Sequence, residues 1–177
     1  MVVLVVGILS AVVLISMNPG GPERRLEDEA ERLASLLELA GNEAVMQNRE
    51  YGLLLEEDGY RFLCLDDGRQ QWQECTGDSL FKPHTLPEGL EARTLDESRM
   101  TLPTATVRSG APDQSMMAGG VEKLSPDILL LSSGEASPAE VEIRVTEEPS
   151  LHIPVSIDEI GRVRWGEQVD EAKNHAK

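Results

Sequence analysis

No charged residue precedes Glu23, and residues 1–17 read MVVLVVGILSAVVLISM. Gly7, Ser10 and Ser16 are the only interruptions of that apolar run. A stretch with no polar face cannot serve as the amphipathic rim of a water-exposed domain. Wound as a helix it spans ~25 Å, slightly short of the ~30 Å hydrocarbon core of a bilayer. Val2, Val3, Leu4, Val5, Val6, Ile8, Leu9, Val12, Val13, Leu14 and Ile15 therefore read as the apolar surface of a transmembrane segment, 1–21, that looks truncated at its start. A cleaved secretory signal is the competing reading. Against it, no Lys or Arg leads the run, and Asn18-Pro19-Gly20-Gly21-Pro22 is a break and not a small-x-small cleavage site. Arg24-Arg25 just beyond would hold that side in the cytoplasm unless stronger topological information lies upstream.

The charge that the first residues lack is concentrated in the rest. Thirty-two acidic against 16 basic residues give a net charge of −16, which repels phosphate backbones, so no nucleic-acid partner is expected. With only two Trp, two Tyr and two Phe, the core must come mainly from aliphatic side chains.

A helix is predicted over 22–48. Pro22 suits a first helical position and Glu23, Glu27, Asp28 and Glu29 suit the opening turns. Leu26, Ala30, Leu33, Leu37, Ala40 and Ala44 recur at helical spacing and form one narrow apolar stripe, read as packing on the chain's own sheet. From Tyr51 the period shortens. Tyr51–Leu55, Tyr60–Leu65 and Gln71–Cys75, separated by Asp58-Gly59 and Asp66-Asp67-Gly68, read as a β-meander. Leu90–Leu95 and the continuous run Ile128–Leu131 are further strand candidates. Val141, Ile143 and Val145 alternate with polar residues, as do Leu151, Ile153, Val155 and Ile157, and Glu147-Glu148-Pro149-Ser150 would close them as a hairpin. Val163 and Trp165 follow a turn at Gly161. Residues 96–127 show no sustained period and read as an exposed mobile loop, and 169–177 as a polar tail. The expected fold class is α+β: a long N-terminal helix, half of it membrane-embedded, packed on a small mostly antiparallel β-domain within 51–166.

Nothing in the pattern supports catalysis. Ser132-Ser133-Gly134-Glu135 lacks the G-x-S-x-G elbow, and reads as a strand-ending turn. Glu56-Glu57 and Asp66-Asp67 sit at predicted hairpin tips without a calcium-loop pattern. His84, His152 and His175 lack metal-ligand spacing, and no phosphate-binding or dinucleotide fingerprint is present, so no cofactor is expected. Cys64 and Cys75 fall on successive predicted strands, where a cross-strand disulfide is geometrically possible; two independent buried thiols are the alternative.

An uncharged apolar helix continuing into an amphipathic helix and a small β-domain resembles the plan of type IV pilins and pseudopilins. Asn42 to Leu53, with Asn48, Arg49, Glu50, Tyr51 and Gly52 at its centre, resembles the helix-to-strand junction of the H-type minor pseudopilins (GspH) of type II secretion systems. Ile128 to Glu135, with Ser132, Ser133, Gly134 and Glu135 and then Ser137-Pro138, resembles a late strand and turn of the same family. The family's basic leader and G-F-T-L-I-E motif are missing, so Met1 matches a position a few residues inside the mature chain. Restoring about six residues would lengthen the span to ~34 Å. Ala139 stands where the family would have an aromatic.

The resemblance implies a non-enzymatic subunit near the tip of the periplasmic pseudopilus, supporting protein export. It implies a single-pass anchor in the bacterial inner membrane that later bundles in the filament core. The implied partners are other minor and major pseudopilins, and prepilin peptidase where a leader exists. A minor pilin of a type IV pilus and a membrane-anchored periplasmic binding or enzymatic domain are the competing functions.

Overall fold

The computed structural model describes residues 21–66, 68–75, 81–95 and 124–169. The transmembrane reading of 1–21 falls outside them but for Gly21, as do 96–123 and 170–177. Among the described residues, no helix is long and apolar enough to cross a membrane.

Helix α1 (Pro22–Gln47) starts with Pro22 in its first turn, where a missing N–H leaves nothing unpaired. Leu26, Ala30, Leu33, Leu37, Ala40 and Ala44 are buried along one face, together with Ala34. The alanines let the helix axis approach the strands closely, while the leucines fill the space between. Asn48 ends the helix in the left-handed region (φ 50°), its N–H donating to the carbonyls of Ala44 and Val45.

Two antiparallel sheets lie against this helix. The first contains β1 (Tyr51–Glu56), β2 (Gly59–Asp66), β3 (Gln71–Glu74), β4 (His84–Thr85) and β6 (Ile128–Leu130), in the order β3-β2-β1-β6 with β4 paired to β2. The second contains β5 (Leu90–Thr94), β7 (Ala139–Val145), β8 (His152–Ile157) and β9 (Val163–Trp165), ordered β5-β7-β8-β9. The helix packs chiefly across β7, β8 and β9, and touches β1 and β6 as well.

The register follows the alternation. Val141 faces Val155 and Ile143 faces Ile153, so one face of the second sheet carries buried aliphatics toward the core. Pro154 is tolerated inside β8 because its nitrogen points toward the β9 side at Gly166, where β9 has already ended. Tyr51, Tyr60 and Phe62 of the first sheet form an aromatic cluster with Phe81, which lies between β3 and β4; Phe62 and Phe81 have ring centroids 5.1 Å apart. Cys64 and Cys75 are joined by a disulfide whose Cα atoms lie 5.1 Å apart.

Two stretches that composition reads as loose are held where they are described. Just before β6, Asp127 donates its N–H to Leu53 and accepts the Leu55 N–H on its carboxylate at 2.9 Å, extending the β1–β6 ladder with a side chain. Pro126 lies over Gly52, where an added Cβ would come within 2.5 Å of the proline ring. Val169, at the head of the polar tail, is 2 % exposed, with its N–H donating to Gly166.

Candidate functional site

The sequence blocks Asn48–Gly52 and Ser132–Glu135 are about eighty residues apart and meet in space. The left-handed Asn48 turns the chain off α1, and Arg49 still donates to Ala44 at 3.1 Å. That places the Glu50 carboxylate over the end of β6. Its two oxygens accept the Ser132 N–H at 2.9 Å and the Ser132 hydroxyl at 2.8 Å, while its carbonyl accepts the Leu65 N–H at 3.0 Å. A carboxylate that takes both donors of one residue fixes the turn's position and orientation together. The Ser132 hydroxyl is therefore engaged as a structural donor, with no histidine beside it among its hydrogen-bond partners.

Tyr51 continues the junction inward. Its ring is buried against Phe81 at 5.5 Å, its hydroxyl donates to Gln47 at 3.2 Å, and its backbone lies opposite Cys64 and Leu130. The turn after β6 is closed by Gly134 (φ +89°), which donates to Leu131, and by Leu131 donating to Glu135 at 2.8 Å. Glu135 also accepts the Ser133 hydroxyl at 3.1 Å. This turn abuts the one between β8 and β9: Ala136 donates to Glu159, and a Cβ on Gly161 would meet the Gly134 carbonyl at 2.8 Å. Ala139 pairs with Ile157 in the second sheet.

Between the second half of α1, this turn and β9 runs a groove of about 550 Å³, lined in part by Glu38, Val45, Gly134, Ile160, Arg162 and Arg164. Val45 and Ile160 are half-exposed and Met46 beside Val45 is more so, which makes this end of the molecule the main apolar exposure among the described residues. The sequence reading missed the groove, because it joins three segments distant in the chain. The exposed apolar pair Val45-Met46, off the helix stripe, was the one signal available.

Farther along the helix, His84 Nε2 lies 2.8 Å from the Glu29 carboxylate and its ring sits 5.1 Å from that of Tyr60. Burial pushes the Tyr60 phenol up to about 12, a rise opposed by the Arg32 guanidinium and reinforced by Glu29. Among the described residues, no group of three His, Cys, Asp or Glu side chains is arranged to hold a metal ion.

This architecture has known relatives. The sequence pattern of one family, described as type II transport protein GspH, matches residues 29–161. The chain belongs to the GspH family. A Pseudomonas aeruginosa protein named type II secretion system protein H is 36% identical over 138 residues, covering 77% of this chain and 73% of that one. A protein of the same name from Aeromonas hydrophila is 24% identical over 172 residues, 97% of this chain and 91% of the relative. Among solved structures, the minor pseudopilin EpsH from the type II secretion system of Vibrio cholerae superposes with a TM-score of 0.61 at 25% identity, covering 82% of this chain and 96% of that one. The fold is thus the α+β pilin-like one, and the functional reading is that of the H-type minor pseudopilins rather than of a type IV pilus subunit. Membership of a structural pseudopilin family also implies assembly with other pseudopilins and an association with the cell envelope.

Proposed function

We infer that this GspH protein is an inner-membrane-anchored minor pseudopilin whose folded domain stands in the periplasm, joins the tip of the pseudopilus and so supports protein export across the outer membrane. The family match over residues 29–161 carries this reading. On this reading the apolar residues between Val2 and Ile15 hold the subunit in lipid, then bundle with neighbouring anchors as the filament forms. Extraction from lipid is offset because one apolar surround replaces another. The protein acts by assembly, without catalysis or cofactor. Prepilin peptidase processes it where a leader is present. Its charge of −16 keeps it off nucleic acid.

Deleting the gene and restoring it in the native host tests the proposal. Loss of type II substrates from the medium, their accumulation in the periplasm, and recovery on complementation are expected. Normal export combined with loss of surface pili and of pilus-driven motility would move the protein to the other machine.

A further inference from the structure

The strand β9 closes the second sheet on one side only. Gly166 donates to Pro154 and Asp158 donates to Arg162, so the bonded positions on the β9 segment are 162, 164 and 166. By alternation, the N–H and C=O groups of Val163 and Trp165 point away from β8. No hydrogen bond reaches them among the described residues. The same segment forms one wall of the groove, with Val163 and Arg164 among the lining residues. An open strand edge beside a trough of mixed lining, with Val45 and Ile160 as its half-exposed apolar residues, suits an extended peptide: backbone groups supply affinity, and alternate side chains enter the trough.

We propose that this edge and groove receive an extended segment of another pseudopilin, which adds to the second sheet as a strand beside β9 and places an apolar side chain between Val45 and Ile160. The arginines give the segment its second property. Arg162 is 65% exposed and Arg164 31% exposed at the side chain, and among the described residues each pairs only with Asp158, at 3.5 and 3.4 Å. A carboxylate on the incoming strand complements them. A second copy of this chain is a poor occupant, since two molecules each carrying −16 repel one another. This inference rests on the pseudopilin reading above and names the surface that reading leaves open.

The test uses the tagged full-length chain in membranes of secreting cells, with co-recovered pseudopilins identified by mass. Ile160→Glu puts a charge into the trough, and Val163→Pro removes an outward N–H that the fold does not use. Each should lower co-recovery of at least one pseudopilin by about tenfold or more while leaving the thermal melt unchanged. Leu95→Glu, at an exposed apolar residue outside the groove, should change nothing. If the wild-type chain recovers no pseudopilin at all, the functional reading itself fails. If wild type and both variants recover partners equally, the groove proposal alone fails. Loss with Ile160→Glu but not Val163→Pro overturns strand addition. Preferential recovery of a second copy overturns the choice of occupant. So does slow hydrogen exchange at Val163 and Trp165 in the free chain, which would show the edge covered by the chain's own residues.

Discussion

The two sheets share one helix and one core, yet they are held together differently. The first closes through specific contacts: a local one in the Cys64–Cys75 bond between β2 and the end of β3, and others that join more distant segments, namely the aromatic cluster of Tyr51, Tyr60, Phe62 and Phe81, Pro126 on Gly52, and Asp127 capping the β1 edge. The second has no disulfide, and its buried face is repetitive, with Val141, Ile143, Val155 and Ile157 in register. Outside, Arg144 donates to Glu91 at 2.6 Å across a directly opposed pair. The β7–β8 hairpin is a local pairing and only β5 joins the second sheet from a distance, whereas the first sheet must bring β1 and β6 together across a longer connection still. The longer connection costs slightly more loop-closure entropy, and the shape-specific contacts at Gly52 and Asp127 help offset it.

The largest expected effect would erase the distinction between the sheets. Leu33 is fully buried where α1 meets the core, so Leu33→Asp should abolish the cooperative melt, a burial cost of several kcal/mol or more. A near-normal melt by circular dichroism would show that the helix is not the shared core element. Next, the double change Cys64→Ser and Cys75→Ser should cost about 3 kcal/mol, from the short loop that the bond closes. Hydrogen exchange should then quicken in β2 and β3 while β7 and β8 stay protected; equal quickening in both sheets would make them one cooperative unit.

A comparable effect is expected at high pH. The folded state holds the Tyr60 proton more tightly than the unfolded chain, with the phenol at about 12 against an ordinary 10.0. Its contribution is therefore complete below pH 10 and is lost as pH rises from 10 to 12, by about 3 kcal/mol in all. Melts at pH 9 and pH 11 should differ measurably, and Tyr60→Phe should reduce that difference; an unchanged difference would assign the alkaline loss to other groups. The smallest effect is expected at the junction, where Glu50→Gln keeps the acceptor oxygen for one Ser132 donor and should cost about 1 kcal/mol. A loss beyond about 3 kcal/mol would mean that Glu50 does more than position the turn.

Much of this was legible residue by residue. The spacing of Leu26, Ala30, Leu33, Leu37, Ala40 and Ala44 marks a helix face because the helical period is local, and the alternation around Val141 and Val155 marks a hairpin for the same reason. Two motif-like blocks were recognisable as strings, but their meeting was not. A carboxylate at 50 and a serine at 132 carry no period connecting them, and only the β1–β6 pairing brings them within 2.9 Å. Residues 124–127 and Val169 escaped for a similar reason, since Pro, Asp and a polar tail look solvated until a partner element lies beside them.

By itself, then, the sequence determined the buried helix face, the family, and the types and order of all the described elements except the two-residue β4 (His84–Thr85), which carries no period of its own; the rest follow from short-range periodicity and local motif. The tertiary structure decided that the strands divide into two sheets, that Glu50 seats the Ser132 turn, and that a groove opens beside β9. Those depend on contacts between residues far apart in the chain, whose pairing is settled by packing and register and leaves no trace in local pattern.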